Sequence, residues 1–296
     1  MIKLIISDLD GTLLKQFKTL SDKNREMVIK AQEKGIKFSI ATGRGFDSTH
    51  QFIKQLKLKE FGGYMILNNG QRFIDVKKDT EEITGLISKE DAQAAFRFAQ
   101  AHELQLVMDG ESGLAFYSPE KLKVYRDVYI ALIRILPYFS FILRRIHVFA
   151  LFGFLKSQNV KILNSADDIE TSYDKIGLTH FKHQLDKSTD RLKDLFNDKL
   201  EIMRVSDNWL DLSPKGITKL VGIKKLMELE GIKDDEVLVM GDSENDSTML
   251  SYFKYSVAMG NASDKIKSLA NYTTDTNKED GVAKAIQRFV FDEHNE

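Results

Sequence analysis

The sequence predicts an α/β fold in which a parallel sheet forms a core domain and a second α/β unit is inserted into that core. Short apolar runs alternate with amphipathic segments at both ends of the chain, as in parallel strands joined by helices. Polar and mostly acidic residues follow several of these runs. The middle of the chain does not show this alternation. We therefore predict a discontinuous core at 1–82 and 205–296, and an inserted unit at 83–204.

The N-terminal apolar runs predict strands with helices between them. Ser21 has the position of an N-cap for the first helix, which ends near Gly35. The second helix passes through Phe52 and Leu56. The predicted strands are residues 2–7, 36–41 and 64–67.

The C-terminal part repeats this order, and the inserted unit has signals of its own. Ser88 and Asp91 have the spacing of a capping box that opens a helix through Phe98. His180 and His183 fall on a predicted strand, where their spacing points them to opposite faces, which argues against a shared metal. The remaining predicted elements are helices at 216–230, from 245 and after 280–281, and strands at 104–108, 179–185, 236–240 and 255–259.

Composition excludes several classes of protein. The net charge is −1, from 43 basic and 44 acidic residues, which argues against a nucleic-acid partner. There is no cysteine, so disulfides and thiolate metal sites are excluded. The N-terminal apolar run is too short for a signal peptide, so we expect a cytoplasmic protein, as a monomer or weak homodimer.

One apolar segment, 128–155, is long enough for a membrane helix, which needs about 20 predominantly apolar residues. Arg134, Arg144 and Arg145 interrupt it, and Pro137 breaks any helix. We expect this segment to pack inside the inserted unit, and we expect no membrane association.

Chemistry-bearing residues follow the predicted core strands directly. In open parallel sheets, ligands bind beyond the carboxyl ends of the strands, so these residues should share one edge. Clustered carboxylates repel each other, and a bound cation compensates for that repulsion. The polar runs at the strand ends are 8–12, 42–44, 68–70 and 241–246.

Mg²⁺ is the cation that fits this edge best, because it prefers carboxylate oxygens together with water and substrate phosphate. Asp8 and Asp242 would supply carboxylates, and Asp10 a backbone carbonyl. A phosphoryl group would then lie between the metal and a hydroxyl donor such as Thr42. A lysine would offset the remaining phosphoryl charge, because phosphoryl transfer is catalysed mainly by positioning and electrostatics.

Short motifs at these positions carry a family resemblance. They are Asp-Leu-Asp-Gly-Thr at 8–12, Thr-Gly-Arg at 42–44, Ser-Pro-Lys-Gly-Ile-Thr-Lys at 213–219, Gly-Asp-Ser-Glu-Asn-Asp at 241–246, Val-Ala-Met-Gly-Asn-Ala at 257–262 and Glu-Asp-Gly-Val-Ala at 279–283. With these motifs the chain resembles the haloacid dehalogenase-like phosphatases, specifically the Cof-type, subfamily IIB. The resemblance covers 1–82 and 205–296 and implies a Rossmann-like core with an inserted α/β cap domain.

The resemblance also implies roles for individual residues. Asp8 would be the nucleophile, and Asp10 the general acid and then the base. Lys219 would offset phosphoryl charge, although Lys215 is a competing lysine and Leu220 replaces the usual glycine after the motif. For Arg44, a substrate contact and a structural salt bridge are both open. The other implied groups are metal ligands (Asp8, Asp10, Asp242), residues behind the metal (Asn245, Asp246) and phosphate or substrate contacts (Thr12, Thr42, Gly43, Arg44, Asn69, Asn245).

The expected function is Mg²⁺-dependent hydrolysis of a small phosphorylated metabolite through an aspartyl-phosphate intermediate. The inserted unit would select the substrate, and sugar phosphates, nucleotides and pyridoxal phosphate all remain open. One alternative is a phosphosugar mutase of the phosphomannomutase type. Another is a non-catalytic phosphate-binding regulatory module, which would have no need of Asp10.

Overall fold

The structure is a computed structural model that describes residues 1–15, 18–111, 113–122 and 160–292. The apolar segment 128–155 lies outside the described residues. The strands β1 to β14 are Leu4–Ser7, Lys37–Ala41, Tyr64–Leu67, Arg72–Asp75, Thr80–Ile83, Gln105–Gly110, Gly113–Tyr117, Val160–Ile162, Lys175–Thr179, Leu200–Ser206, Trp209–Pro214, Val237–Gly241, Tyr255–Ala258 and Tyr272–Thr273. The α-helices α1 to α9 are Asp22–Glu33, Gln51–Gln55, Leu58–Phe61, Lys89–Ala101, Lys182–Phe196, Lys219–Glu230, Ser247–Tyr252, Asp264–Lys267 and Gly281–Ile286.

The chain divides into two compact units. The first contains Met1–Thr84 and Ile217–Glu296, and the second contains Gly85–Gly216. The first division is close to the predicted one at 82/83. The second lies further along the chain than the predicted 204/205, because β10 and β11 pair with the sheet of the second unit.

The described strands of the first unit form one sheet in the order β14-β13-β12-β1-β2-β3-β4-β5. The pairs from β14 to β3 are parallel, as the alternation of strands and helices predicts. β4 and β5 extend this sheet in antiparallel pairs, which the sequence did not predict. Apolar clusters form on both faces of the sheet, so its central strands are buried and read as continuous apolar runs.

The register of the central strands brings their carboxyl ends level. Ser7, the last residue of β1, lies opposite Ile40 of β2 and Met240 of β12. The chain segments that follow these residues therefore leave the sheet at the same edge. Asp8, Thr42 and Asp242 lie in those segments.

The local start signals predicted for two helices are present. The side chain of Ser21 accepts a hydrogen bond from the Asn24 N–H at the start of α1. The side chain of Ser88 accepts from the Asp91 N–H at the start of α4. Each N-cap satisfies a backbone donor that has no partner within its own helix.

The second unit is built on a sheet whose described strands have the order β10-β11-β9-β6-β7-β8. Residues of α4 and α5 share an apolar core with one face of this sheet. The strand predicted at 179–185 is wrong. β9 ends at Thr179, and α5 begins at Lys182, so His180 lies between these elements and His183 lies in the first turn of the helix.

Among the helices of the described residues, none combines the length and the apolar character that crossing a membrane requires.

Candidate active site

A buried lysine joins two aspartates at the carboxyl edge of the first sheet. Lys219 is the first residue of α6, and its side chain is fully buried. Its Nζ donates to Oδ1 of Asp8 over 2.5 Å and to Oδ1 of Asp246 over 2.7 Å. A cation at a helix N-terminus is unfavourable, because that end of the helix dipole is positive. The two carboxylates offset this cost and keep Lys219 in place.

The close packing at the start of α6 depends on Gly70. Gly70 has a φ of 103°, in the left-handed region that favours glycine. A Cβ atom at this position would lie 2.2 Å from the carbonyl oxygen of Thr218, the N-cap of α6. The turn after β3 therefore touches the backbone that presents Lys219.

Burial and charge act in opposite directions on these groups. Burial favours the neutral form of Lys219, but the Asp246 and Asp8 carboxylates outweigh it and hold the lysine pKa above its ordinary value. Burial raises the pKa of Asp8 to about 7, although the positive charge of Lys219 acts to lower it. The lysine is therefore a permanent cation beside a carboxylate that one positive charge does not fully compensate.

Asp242 follows β12 and lies next to the loop that carries Asp8. Its Oδ1 accepts a hydrogen bond of 2.9 Å from the hydroxyl of Thr12. Burial raises the pKa of Asp242 to about 6. Gly11 allows the loop to approach, because a Cβ atom there would lie 2.2 Å from Oδ2 of Asp242.

Three aspartates, Asp8, Asp242 and Asp246, have carboxylate oxygens within 4.8 Å of one another. Oδ2 of Asp8 is buried and has no hydrogen-bond partner among the described residues. A cation would satisfy this oxygen and reduce the repulsion between the carboxylates, so the cluster fits a hard divalent metal.

The three carboxylates of this cluster are not equivalent. Oδ1 of Asp246 accepts from Lys219, and its Oδ2 accepts from the backbone N–H groups of Asp242 and Ser243. With both oxygens engaged, Asp246 suits the predicted place behind the metal. Asp8 and Asp242 are the better candidates for direct ligands of a cation. The side chain of Asp10 lies outside the cluster.

Asp10 is paired with Arg44. Nε of Arg44 donates to Oδ2 of Asp10 over 2.5 Å, and Nη2 donates to Oδ1 of the same carboxylate. The Asp10 side chain is 50% exposed and the Arg44 side chain 14%. Arg44, for which substrate contact and a structural salt bridge were both open, is thus committed to an ion pair with Asp10.

Thr42 and Asn69 lie together after β2 and β3. The Thr42 side chain is buried, and its oxygen accepts from the Arg44 N–H, while among the described residues no acceptor takes its hydroxyl proton. The Asn69 N–H donates to the Thr42 carbonyl. Oδ1 of Asn69 accepts from Nδ2 of Asn245 over 2.9 Å, and Gly43 lies against the Asn69 side chain.

The geometry bears on two further positions named in the sequence analysis. Thr12 is fully buried and its hydroxyl donates to Asp242, so its side chain orients that carboxylate, and its predicted contact with phosphate stays a prediction. Lys215, the competing lysine, is exposed and bonds Asn197 and Asp198 of the second unit. Lys219 is the motif lysine that reaches Asp8.

The sequence prediction missed one residue of this site. Nδ2 of Asn261 donates to the Gly11 carbonyl over 2.9 Å and lies 3.4 Å from Oδ2 of Asp242. Asn261 belongs to the motif at 257–262, which signalled its importance but gave no role. Together, the fold and these contacts define a class: an enzyme that handles a phosphoryl group at an aspartate–lysine centre on the edge of a parallel sheet.

Comparisons with known proteins agree with this class. A family model described as haloacid dehalogenase-like hydrolase matches residues 5–286. The 5-amino-6-(5-phospho-D-ribitylamino)uracil phosphatase YcsE of Bacillus subtilis is 31% identical, over 98% of this chain and 96% of its own. The phosphatase YbjI of Escherichia coli, which has the same descriptive name, is 26% identical over 98% of this chain and 96% of its own. A solved haloacid dehalogenase-like hydrolase from Bacteroides thetaiotaomicron superimposes with a TM-score of 0.77 at 28% identity, over 97% of this chain and 99% of that one.

The chain therefore belongs to the haloacid dehalogenase-like hydrolases, and within them it is a Cof-type phosphatase that hydrolyses phosphoric monoesters. This confirms the resemblance seen in the motifs and the α/β fold class. The phosphatase names of the relatives favour hydrolysis over the mutase and the non-catalytic module.

Proposed function

We propose that this phosphatase is Mg²⁺-dependent, works through an aspartyl-phosphate on Asp8, and hydrolyses 5-amino-6-(5-phospho-D-ribitylamino)uracil. One observation carries the mechanism. The Asp8 carboxylate is buried between the Lys219 cation and the Asp242 carboxylate, and one of its oxygens has no partner among the described residues. An acidic group in this position is suited to bind a cation and a phosphoryl group together.

Asp8 and Asp242 would hold the Mg²⁺, with Asp246 behind them. When bound, the metal would act as a Lewis acid that draws negative charge from the phosphoryl oxygens. Oxygen ligands of this kind, few in number and with room for water, are typical of Mg²⁺ sites.

The chemistry of the side chains has two halves. In the first, an Asp8 carboxylate oxygen attacks phosphorus, the bond from phosphorus to the leaving oxygen breaks, and Asp10 gives its proton to that oxygen. In the second, Asp10 takes a proton from water, whose oxygen attacks phosphorus and releases Asp8 and inorganic phosphate. Lys219 and the hydroxyl proton of Thr42 stabilise phosphoryl charge in both halves.

Exchange of the Arg44 partner is part of this proposal. Because Arg44 holds Asp10 in a two-pronged ion pair, Asp10 is oriented as a carboxylate that has no proton to donate. We propose that a negatively charged substrate attracts Arg44 as it binds, and that the released Asp10 takes up a proton from solvent and then acts as the acid.

The substrate proposal rests on the relatives. YcsE and YbjI both carry the name of the ribitylaminouracil phosphatase and align over nearly the whole chain. That substrate joins a phosphorylated polyol to a pyrimidine, so it shares features with the sugar phosphates and nucleotides that the sequence left open. We propose that the second unit, Gly85–Gly216, selects it.

A substrate panel tests this proposal. Purified protein with Mg²⁺ should show a kcat/KM for the ribitylaminouracil phosphate at least about tenfold above those for sugar phosphates, nucleotides and pyridoxal phosphate, a preference worth about 1.4 kcal/mol. Phosphate release is the measurement, and p-nitrophenyl phosphate is the unselective reference. A sugar phosphate or nucleotide hydrolysed with higher kcat/KM would contradict the substrate and leave the mechanism intact.

Metal removal should change how stability depends on pH. Burial raises the folded-state pKa of Asp8 to about 7 and of Asp242 to about 6, above those of carboxyls in an unfolded chain. A raised pKa contributes stability that is complete below the unfolded pKa and is lost as pH rises through the folded pKa. In EDTA, the free energy of unfolding should therefore fall between about pH 4 and about pH 7.

Mg²⁺ should oppose this fall, because it binds the charged carboxylates. Urea unfolding over a pH series, in EDTA and in Mg²⁺, measures both curves. Activity should disappear in EDTA and return with Mg²⁺. Superimposable curves in the two solutions would mean that no metal binds at these aspartates.

A further inference from the structure

The side chain of Asn261 has its donors and its acceptor engaged. Its Oδ1 accepts the Asn277 N–H over 2.9 Å. Its Nδ2 donates to the Gly11 carbonyl over 2.9 Å and approaches Oδ2 of Asp242 at 3.4 Å. Because Oδ1 is anchored on a backbone donor, the amide NH₂ has to face Gly11 and Asp242. The orientation of Asn261 therefore follows from its contacts.

Neutral donors face both oxygens of Asp242. Thr12 donates to Oδ1 over 2.9 Å, and Asn261 lies against Oδ2. A neutral donor orients a carboxylate without cancelling its negative charge, whereas a lysine or arginine would compete with a bound cation. The arrangement is suited to a carboxylate that has to remain anionic and correctly directed toward a metal.

Asn261 also ties together distant parts of the chain. It connects the loop that carries Asp8 to the loop that carries Asp242. Asn277, the hydrogen-bond partner of Asn261, donates from its own Nδ2 to the Leu14 carbonyl over 2.7 Å. This bond anchors the far end of the loop that carries Asp8. Two asparagines of the C-terminal segment thus brace the loop in which Asp8 lies.

We propose that Asn261 is a positioning residue for the metal carboxylate Asp242. It sets the direction of Oδ2 and the distance between Asp242 and the Asp8 loop, so its contribution is to Mg²⁺ affinity. This inference rests on the proposed Mg²⁺ dependence.

The test compares Asn261→Ala with the wild-type protein. Mg²⁺ alone is titrated, and its dissociation constant is taken from the rise of the thermal unfolding midpoint, a readout independent of catalysis. The variant should bind Mg²⁺ about tenfold or more weakly, the usual effect of losing a partner behind a metal ligand. At saturating Mg²⁺, its KM for p-nitrophenyl phosphate should stay at the wild-type value.

Asn271→Ala is the matched control. Nδ2 of Asn271 donates to the Phe253 and Lys254 carbonyls, so it has similar bonds in the same part of the chain but away from the aspartates. The control should lower the unfolding midpoint and leave the Mg²⁺ dissociation constant unchanged.

The outcomes separate this inference from the proposed function. Wild-type Mg²⁺ affinity in a folded Asn261→Ala variant overturns the positioning role, and so does a raised KM at saturating Mg²⁺ with unchanged Mg²⁺ affinity, which indicates a substrate contact. If Asn261→Ala does not fold, Asn261→Ser carries the same expectation. A wild-type protein whose midpoint does not respond to Mg²⁺ contradicts the proposed metal dependence itself.

Discussion

Replacing Asp8 with asparagine is expected to lower kcat for p-nitrophenyl phosphate by about 10⁴-fold or more, the scale of losing a catalytic nucleophile. An amide does not attack phosphorus, and it is a poorer metal ligand. Its oxygen can still accept the hydrogen bond from Lys219. The fold around the site should therefore survive while the chemistry is lost.

The free energy of unfolding of Asp8→Asn should not fall together with its activity. Burial makes a charged carboxylate at Asp8 costly without metal, as its raised pKa shows. In EDTA above pH 7, Asp8→Asn should be at least as stable as wild type in urea unfolding. Near wild-type turnover in Asp8→Asn would exclude the aspartyl-phosphate mechanism.

Asp75→Asn is a control in which stability, and not activity, should be lost. Asp75 is buried in the same unit, and its Oδ1 accepts the backbone N–H groups of Lys77 and Lys78. Burial acts to raise the Asp75 pKa, but those bonds and Lys78 together outweigh it and hold the pKa below its ordinary value. The control should lose stability at neutral pH and keep its kcat.

Replacing Lys219 with methionine is the second large effect that we expect. The variant should lose about 100-fold or more in kcat, in line with deleting one well-placed charge-stabilising donor. It should also lose about 3–5 kcal/mol of unfolding free energy in EDTA, because Asp8 and Asp246 remain buried without their cation. Phosphate release and urea unfolding measure the two losses.

A double variant distinguishes charge from packing. Adding Asp246→Asn to Lys219→Met removes one uncompensated charge, and the asparagine oxygen can still accept the N–H groups of Asp242 and Ser243. Stability should recover in part, and activity should not. Equal instability of the single and double variants would mean that lost packing, rather than buried charge, destabilises the protein.

Lys215→Ala is the matched lysine control. The Lys215 side chain is 44% exposed and bonds the Asn197 carbonyl and Asp198. Its loss should change stability by no more than about 0.5 kcal/mol, as is usual for surface positions, and should leave kcat unchanged. A large loss of kcat here would assign the phosphoryl lysine to Lys215 instead.

The core strands could be predicted from the sequence because burial on both faces produces unbroken apolar runs. Tyr64–Leu67 matches its prediction, and Val237–Gly241 differs by one residue at each end. Exposed elements carry no such signal. β5, Thr80–Ile83, is exposed along its whole length and was missed.

In the second unit, the start of one helix was predicted as a strand. The residues at 179–185 were read as a strand, but Leu185, Ser188, Leu192 and Phe196 are buried at helical spacing along α5. The helical period can be recognised only over the whole length of α5. Over 179–185 alone, the short apolar pattern resembles a strand.

The sequence by itself determined the α/β class, the strand ends and the identity of the acidic residues there, because these follow from local patterns of apolar and polar residues. Tertiary structure alone decided which side chains meet. Thr12 reaches Asp242 across 230 positions of the chain, and Asn261 reaches Gly11 across 250. The pairing of Arg44 with Asp10 likewise depends on how two strand-end loops approach each other. Such hydrogen bonds are set by sheet register and by the packing of α6, since no local pattern records how far apart two loops lie in space.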